Sequence, residues 1–269
     1  MRNLIILDAG HGIDTPGKRT PLFEDGSFMH ERSFNQAVVK EMIKQLQKYD
    51  CLVKWVSKEE KDIPLSVRTS RANMYLQDFT KLYGKTNVNS VFISVHANAA
   101  TEHWGMANGI ETYYLSTGHS SGLKLAQAVQ KQLIAYTKLR DRGIKTANFF
   151  VLRETYMPAI LCECGFMDYK PEARLLRSDA YRIQCATAIV KGIVNYMNLE
   201  LIPPAVTHPS STIQPSPNAI VNKLQIELDG QLKTVNSIYK DGFNYIKLRD
   251  LESSKISIDF NGMPIIQIK

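Results

Sequence analysis

The sequence predicts an α/β protein with a mostly parallel sheet flanked by helices, followed by a small β-rich domain. Short apolar runs alternate with helical patterns over the first 200 residues. Such alternation is typical of parallel sheets with helices on both faces. The composition changes near residue 200, where prolines and serines accumulate. We therefore divide the chain into a domain at 1–199, a linker at 200–219 and a domain at 220–269.

Five strands are predicted from short apolar runs that end in turn or polar residues. The first, "NLIILD", is a continuous apolar run, which is typical of a strand buried on both faces. The five strands are residues 3–8, 51–57, 90–100, 109–116 and 158–166. A further segment, residues 149–155, is expected to be short and extended.

Four helices are predicted between and after these strands. In the first, Phe34, Val38 and Met42 recur at helical spacing. In the second, Pro64 occupies the first turn, where the missing N–H of proline is harmless. The four helices are residues 32–48, 64–79, 120–137 and 178–198.

The end of the chain differs in character. Five of the eleven prolines fall within 201–219, which indicates a semi-rigid linker. Residues 220–269 alternate apolar and polar positions around Asp-Gly at 229–230 and 241–242 and Asn-Gly at 261–262, which predicts β-hairpins. Because a domain of 50 residues is marginal for a core of its own, we expect packing on a partner or self-association.

Charge and hydropathy limit the classes of partner. The net charge of +7 favours nucleic acid, a membrane surface or an anionic cell-wall polymer. A nucleic-acid arm is not expected because no run of five Lys or Arg occurs. A membrane span is not expected because no apolar run reaches roughly 18 residues. The start, "MRNLIILDAGHG", is too weakly apolar for a signal peptide, so we expect synthesis in the cytoplasm and release by another factor.

Cys162 and Cys164 share one face of the predicted strand, because residues two apart point the same way. They are either small buried apolar side chains or thiolate ligands. The first interpretation is favoured, because a C-x-C pair without a second Cys or His pair lacks the spacing of a zinc finger.

Two histidines stand at the carboxyl ends of predicted strands, His11 and His96. Ligands of open α/β sheets bind at this edge, and catalytic zinc takes three protein ligands and leaves one position open. Glu31, at the start of the first helix, is the preferred third ligand, and Glu24 in the preceding loop is its competitor. His30 is left out because adjacent residues rarely reach one ion from a helix start.

Glu163 is a single carboxylate within the apolar strand "PAILCECGF". Burying a carboxylate is costly unless it is paired or lies at an open cleft. At a strand end beside a metal, it suits the role of general base toward a metal-bound water. The alternative is a salt bridge with Arg68, Arg71 or Arg153. Each candidate alone has a simpler structural explanation, but four at one predicted edge favour a zinc hydrolase.

Five segments, in this order, are similar to the type-3 class of zinc-dependent N-acetylmuramoyl-L-alanine amidases: "LDAGHG", "ERSFN", "PLSVRTSRAN", "VFISVHANA" and "PAILCECGFMD". The resemblance covers residues 1 to about 197. It implies zinc held by His11, Glu31 and His96, with Glu163 as catalytic base. It also implies cleavage of the amide between the lactyl group of N-acetylmuramic acid and L-alanine. The loop at 12–30 departs from the family pattern because it is longer and more basic.

Three further residues are weaker candidates for substrate contacts. Asn98 follows His96 and either hydrogen-bonds substrate or completes the turn. Arg71, like Arg68 on the same helical face, either pairs with a carboxylate or meets an anionic glycan. Trp104 is close enough in sequence to line the cleft.

The combined prediction is a peptidoglycan amidase whose domain at 220–269 binds a wall polymer. We expect a bacteriophage or prophage endolysin that reaches the wall after holin-type release. The alternatives are a sporulation or mother-cell autolysin of the same activity, a zinc carboxypeptidase, and a non-catalytic wall-binding protein on the same fold.

Overall fold

The computed structural model describes residues 1–116, 120–202, 221–228, 231–240, 243–246, 256–260 and 264–268. Contacts between Cα atoms divide the chain into two units, Met1–Pro203 and Pro204–Lys269. The predicted linker at 200–219 lies outside the described residues from 203 onward. The linker and domain boundaries therefore stay predictions.

The described residues of the first unit form one six-stranded sheet. Its strands are β1 (Arg2–Ala9), β2 (Leu52–Trp55), β3 (Val88–Asn98), β4 (Ile110–Tyr114), β5 (Asp141–Thr146) and β6 (Ala159–Phe166). Their spatial order is β2-β1-β3-β6-β4-β5. Every neighbouring pair is parallel except β4 and β6, which are antiparallel. The predicted mostly parallel sheet is confirmed.

Helices cover both faces of this sheet. They are α1 (Glu31–Leu46), α2 (Leu65–Tyr83), α3 (Ser120–Thr137), α4 (Phe150–Arg153), α5 (Lys170–Leu176) and α6 (Asp179–Met197), with a short 3-10 turn at Lys85–Asn87. Helices α1, α3 and α6 contribute to one core, and α2 and α4 contribute to the other. The sheet is therefore the middle of three layers.

Strand β1 shows why the strands are continuously apolar. Ile5 and Leu7 join the core on the α1 side, whereas Leu4 and Ile6 join the core on the α2 side. All four side chains are fully buried. Each contributes about 1.5–3 kcal/mol relative to an exposed side chain, so both faces hold the strand in the middle layer.

One predicted element is wrong, and two elements were not predicted. The segment at 149–155 is not extended but contains α4, because Val151 and Leu152 turn inward as one helical turn against α2. Strand β5, "DRGIKT", lacks an apolar pattern because it is a half-exposed edge strand. Helix α5 is only seven residues long, too short for a periodic pattern to identify.

The cysteines of β6 are part of the core. Cys162 and Cys164 are fully buried on the same side of the sheet, in the cluster that also contains Cys185 of α6. The prediction of small buried apolar side chains is confirmed.

The second unit contains β strands, as the composition predicts. Strands β7 (Val221–Leu228), β8 (Gln231–Lys240) and β9 (Phe243–Ile246) pair antiparallel in that order. Strands β10 (Ile256–Phe260) and β11 (Pro264–Ile268) form a second antiparallel pair. The predicted turn residues at 229–230, 241–242 and 261–262 lie outside the described residues.

Among the helices that the structure describes, none combines the length and the apolar character needed to cross a bilayer.

Candidate metal centre and catalytic site

His11 lies in a sharp turn directly after β1. Its φ angle is 58°, in the left-handed region that residues other than glycine rarely occupy. The turn is fixed because the Gly10 N–H donates to the Val95 carbonyl at 3.0 Å and the Gly12 N–H donates to the Thr15 hydroxyl at 2.8 Å. A Cβ atom on Gly10 would lie only 2.2 Å from the His96 ring. A glycine is therefore needed for His11 and His96 to approach each other.

Glu31 is the first residue of α1, and its side chain is buried. Its Oε1 accepts hydrogen bonds from the Asn35 amide at 3.1 Å and from the Ala97 N–H at 3.2 Å. Its backbone N–H donates to the Lys18 carbonyl at 2.9 Å, which ties the basic loop to the helix start. The carboxylate is therefore held in a single position before any ion binds.

His11, Glu31 and His96 converge as predicted. His11 Nε2 lies 3.3 Å from Glu31 Oε2, and His96 Nδ1 lies 3.1 Å from Glu31 Oε1. The two imidazole rings are 5.0 Å apart and nearly perpendicular. Within the part of the chain that the structure describes, this is the one group of three or more His, Cys, Asp and Glu residues whose ligand atoms all lie within 4.8 Å of one another.

The protonation states of His11 and Glu31 suit a cation. Burial lowers the pKa of His11 to about 4, so its ring is neutral at pH 7. Burial alone would raise the pKa of Glu31, but hydrogen bonding and charge from His96 lower it to about 2. Burial opposes protonation of His96, but its contact with Glu31 raises its pKa. Two imidazoles and one carboxylate form a ligand set that zinc prefers.

A buried chain of polar groups orients His96. Its Nε2 lies 3.1 Å from the Ser94 oxygen, the Ser94 hydroxyl donates to Asp8 at 2.7 Å, and Asp8 pairs with Arg68 at 2.8 Å. When Nε2 donates to Ser94, the lone pair of Nδ1 faces the Glu31 carboxylate. Two acceptors then face each other, an arrangement that a bound cation satisfies.

Sequence reasoning missed this chain of contacts. Asp8 and Ser94 are polar residues within the apolar strands "NLIILD" and "VFISVHA", and both side chains are buried. Polar residues at such positions need partners, which was the available signal.

Glu163 lies beside His96, because the two residues are register partners of the parallel strands β3 and β6. On the other side, Glu163 is the register partner of Glu111 on β4. Among the described residues, no group hydrogen-bonds the buried Oε2 atom of Glu163. Burial raises the pKa of Glu163 to about 7, and the negative charges of Glu31 and Glu111 act in the same direction. The charge of His96 acts in the opposite direction. An unpaired carboxylate of this kind is suited to proton transfer near neutral pH.

Glu111, also missed from the sequence, gathers four donors. Its Oε1 accepts from the Asn98 amide and the Tyr113 hydroxyl, both at 2.7 Å. Its Oε2 pairs with Arg142 at 2.6 Å and with Lys145. Two cations therefore share one carboxylate next to Glu163. The signal in the sequence was one acidic residue in the apolar strand "GIETYYLS".

A cavity of about 260 Å³, here called the metal cleft, lies at this site. His11, His96, Glu163 and Lys18 line its polar part. Leu65, Phe149, Phe150 and Val151 line its apolar part, where α2 and α4 begin. The cleft therefore offers charged groups at the reacting centre and an apolar wall on one side.

Two alternatives from the sequence concern a salt bridge of Glu163 and the use of Glu24 as a metal ligand. Arg68 pairs with Asp8 and Asp62, and Arg153 pairs with the adjacent Glu154. These contacts leave Glu163 without a salt bridge to either arginine. Glu24, the competing metal ligand, instead pairs with Lys170 at 2.6 Å.

Arg71 pairs with Glu59 at 2.7 Å and also donates to the Val56 carbonyl. Asn98 donates to Glu111, and its own Oδ1 accepts from the Ala99 N–H at 2.8 Å. These contacts support the structural alternative for both residues. Substrate binding by Arg71 and Asn98 stays a prediction.

Known proteins with similar sequences indicate the family of the chain. Residues 5–195 match the family model described as N-acetylmuramoyl-L-alanine amidase (Amidase_3). The chain is 30% identical over 193 residues to the N-acetylmuramoyl-L-alanine amidase LytC of Bacillus subtilis, covering 71% of this chain and 35% of LytC. It is 33% identical over 207 residues to the endolysin of Bacillus phage SPP1, covering 74% of this chain and 68% of the endolysin.

The lengths of these relatives differ from that of the chain. The chain spans about a third of the length of LytC. It also spans 22% of a cell wall amidase of Bacillus anthracis, named as uncharacterized, to which it is 38% identical over 121 residues. The similarity therefore concerns one domain of these longer proteins.

A solved structure gives the same result for the fold. The chain resembles the crystal structure of an N-acetylmuramoyl-L-alanine amidase from Clostridium difficile 630, with a TM-score of 0.63 and 33% identity. The similarity covers 73% of this chain and 97% of that one. With the match over residues 5–195 and the His-Glu-His cluster at its strand ends, the chain belongs to the N-acetylmuramoyl-L-alanine amidase family.

Proposed function

We propose that this chain hydrolyses the amide between the lactyl group of N-acetylmuramic acid and the L-alanine of the stem peptide, and that His11, Glu31 and His96 hold one zinc ion for this reaction. The observation that carries the proposal is the convergence of these three ligand groups beside Glu163, whose buried Oε2 atom has no hydrogen-bond partner among the described residues. Membership of the amidase family supports the choice of bond.

The residues of the site divide the chemistry. Zinc, when bound, supplies a Lewis acid that polarises the carbonyl oxygen and lowers the pKa of water. Glu163 removes a proton from the water as the water attacks the lactyl carbonyl carbon. The C–N bond then breaks, and Glu163 passes the proton to the amino group of L-alanine as it leaves. Its pKa of about 7 in the structure suits both steps near neutral pH.

The polar surroundings keep this geometry in place. Ser94, Asp8 and Arg68 fix the His96 ring from behind. Asn35 and the backbone of Ala97 fix Glu31. A carboxylate and imidazoles that are already oriented lose little conformational entropy when ion and substrate bind.

For the biological role, we propose an endolysin that reaches the wall from the cytoplasm after holin-type release. The similarity to the SPP1 endolysin over most of both chains supports this role. We further propose that residues 220–269 bind a wall polymer. An autolysin of sporulation or mother-cell lysis would use the same residues and bond.

The activity is tested by digesting purified peptidoglycan with the full chain and analysing the products by mass spectrometry. New L-alanine amino termini together with unmodified muramic acid are expected. Products cut only between amino acids of the stem peptide would identify a carboxypeptidase or endopeptidase and overturn the proposal. An absence of any product, while the chain still binds the peptidoglycan, would identify a non-catalytic wall-binding protein.

The metal is tested separately. A chelator is expected to abolish activity, and added zinc is expected to restore it. Full activity in the chelated, metal-free protein would overturn the zinc assignment. The variant Glu24→Gln is the matched control, because Glu24 is the competing carboxylate and its pairing with Lys170 is exposed. This variant is expected to bind zinc and cleave as the unmodified chain does.

A further inference from the structure

A second cavity, here called the Trp104 pocket, lies outside the metal cleft. It has a volume of about 550 Å³. Arg19, Leu22, Thr101, Glu102, His103 and Trp104 contribute to its lining. The sequence predicted that Trp104 lines the same cleft as His96, but Trp104 lines this second pocket and not the metal cleft.

The indole of Trp104 is held in a defined position. Its Nε1–H donates to the Leu22 carbonyl at 3.1 Å, and its ring meets the Phe23 ring at 5.1 Å between centroids. Lys170 Nζ lies 5.3 Å from the centre of the indole. A half-buried tryptophan with its N–H satisfied is an ordered apolar surface that ligands can meet without a large entropy cost.

The segment that carries Trp104 is fixed to the strand that carries Glu163. The backbone N–H groups of Ala100 and Thr101 donate to Asp168 Oδ2 at 3.0 and 2.8 Å. The Gly105 N–H donates to the Asp168 carbonyl at 2.7 Å. Asp168 is fully buried and stands two residues after the end of β6. Hydrogen bonds from three backbone N–H groups therefore hold the segment of Trp104 against Asp168.

The two cavities share one wall. Gly17 and Arg19 line the Trp104 pocket, while Lys18, between them, lines the metal cleft. The Lys18 carbonyl accepts from the N–H of Glu31, a proposed zinc ligand. The two cavities therefore adjoin at residues 17–19, which are exposed.

The walls of the two cavities differ in chemistry. Away from the metal, the metal cleft is apolar at Leu65 and Phe149. The Trp104 pocket combines one aromatic surface with exposed groups of both charges, Arg19 and Glu102, and with His103. A sugar ring needs this combination, because its C–H faces are apolar and its hydroxyl and amide edges need donors and acceptors.

We propose that the Trp104 pocket binds the glycan strand of peptidoglycan, at the sugar next to the muramic acid whose amide is cleaved. The stem peptide then extends away from this pocket, toward the apolar wall at Leu65 and Phe149. This inference rests on the proposed function, because it assumes that the scissile bond lies between glycan and peptide. It extends that function by giving the substrate a direction across the site.

The test measures binding of soluble glycan strands freed of their stem peptides, by isothermal titration calorimetry with the full chain. These strands contain no scissile bond, so the readout does not depend on catalysis. Trp104→Ala is expected to weaken binding by about tenfold, the loss of one aromatic contact. Residues 220–269 are the same in every variant, so any binding they contribute is constant.

Two variants control the measurement. Tyr156→Ala removes an aromatic side chain that is 80% exposed and lines neither cavity, and its affinity is expected to be unchanged. Trp104→Phe keeps an aromatic ring but loses the N–H that binds Leu22, and it is expected to restore most of the affinity. Equal affinities of Trp104→Ala and the unmodified chain would overturn the proposal. Equally weak binding by Trp104→Phe and Trp104→Ala would do the same.

A kinetic comparison separates this proposal from the proposed function. For muropeptides with a flanking sugar, Trp104→Ala is expected to raise KM by about tenfold, with little change for a single muramoyl peptide. If the unmodified chain cleaves neither substrate but binds free glycan through Trp104, the proposed function fails and the glycan site stands. If it cleaves both substrates and Trp104→Ala affects them equally, the glycan site fails and the proposed function stands.

Discussion

The Nε2 atom of His96 lies 3.1 Å from the hydroxyl oxygen of Ser94, two residues earlier on the same strand. We expect Ser94→Ala to weaken zinc binding by about 10–100-fold, because the group that fixes the orientation of the ligand ring is lost. Competition with a chromophoric chelator measures this affinity. Ser90→Ala, at the opposite end of β3, is the matched control and is expected to leave the affinity unchanged. Unchanged affinity in Ser94→Ala would show that Ser94 does not orient the ligand.

Replacement of Glu163 separates catalysis from metal binding. Glu163→Gln keeps the shape of the side chain but cannot accept the proton, so turnover is expected to fall by roughly 10²–10⁴. Zinc content, measured by elemental analysis, is expected to stay at one ion per chain. Glu154→Gln is the control, because Glu154 is half-exposed and pairs with Arg153 on the surface. Retained turnover in Glu163→Gln would exclude Glu163 as the general base.

Gly10 is required because of the closeness of His96. In Gly10→Ala the added Cβ would lie 2.2 Å from His96 Cε1, so the turn or the ring must move. We expect a loss of about 1–3 kcal/mol in unfolding free energy, measured by urea denaturation, and weaker zinc binding. In the control, Gly122→Ala in α3, the nearest atom is 3.7 Å from the new Cβ, and no such loss is expected. A stable Gly10→Ala variant with normal zinc affinity would contradict the close approach.

The lowered pKa of Glu111 predicts how the free energy of unfolding depends on pH. Although burial opposes ionisation, its hydrogen bonds with Lys145, Tyr113 and Arg142 lower the pKa of Glu111 from 4.5 to about 2 in the folded chain. Its contribution is therefore complete above pH 4.5. It is lost as the pH falls from 4.5 toward 2, because the unfolded chain takes up the proton first.

Replacing Glu111 measures this contribution. Glu111→Gln is expected to reduce the unfolding free energy by roughly 2 kcal/mol at pH 7 and to flatten the profile between pH 4.5 and 2. Glu59→Gln is the matched control. The pKa of Glu59 is also lowered to about 2, through its hydrogen bond with Arg71, but solvent screens this exposed pair. Equal effects of the two substitutions would show that burial of Glu111 adds nothing.

The sequence was sufficient for the positions of the main site residues. His11, His96 and Glu163 follow or interrupt apolar runs, and a run of this kind identifies a buried strand and where it ends. Glu31 could be chosen because a helix start lies at the same edge as the strand ends. The structure brings His11, Glu31 and His96 together and sets Glu163 beside His96.

The parts that sequence reasoning missed depend on strand neighbours. Glu111 lies beside Glu163 only because β4 pairs with β6, and no local pattern specifies that partner or its antiparallel direction. Ser94 reaches Asp8 because β1 and β3 are adjacent and these two residues are register partners. The edge strand β5 carries Arg142 and Lys145 but lacks the apolar pattern that would have identified it.

By itself, the sequence determined the order of strands and helices and the strand ends at which His11 and His96 stand, because hydrophobic periodicity is a local property of the chain. Only the tertiary structure decided which strands are neighbours. The arrangement of the strands places the left-handed turn at His11 next to His96. It also determines the partners of Asp8 and Glu111 and the position of the Trp104 pocket. The physical reason is that these contacts join residues far apart in sequence, and only packing of the complete sheet brings them within hydrogen-bonding distance.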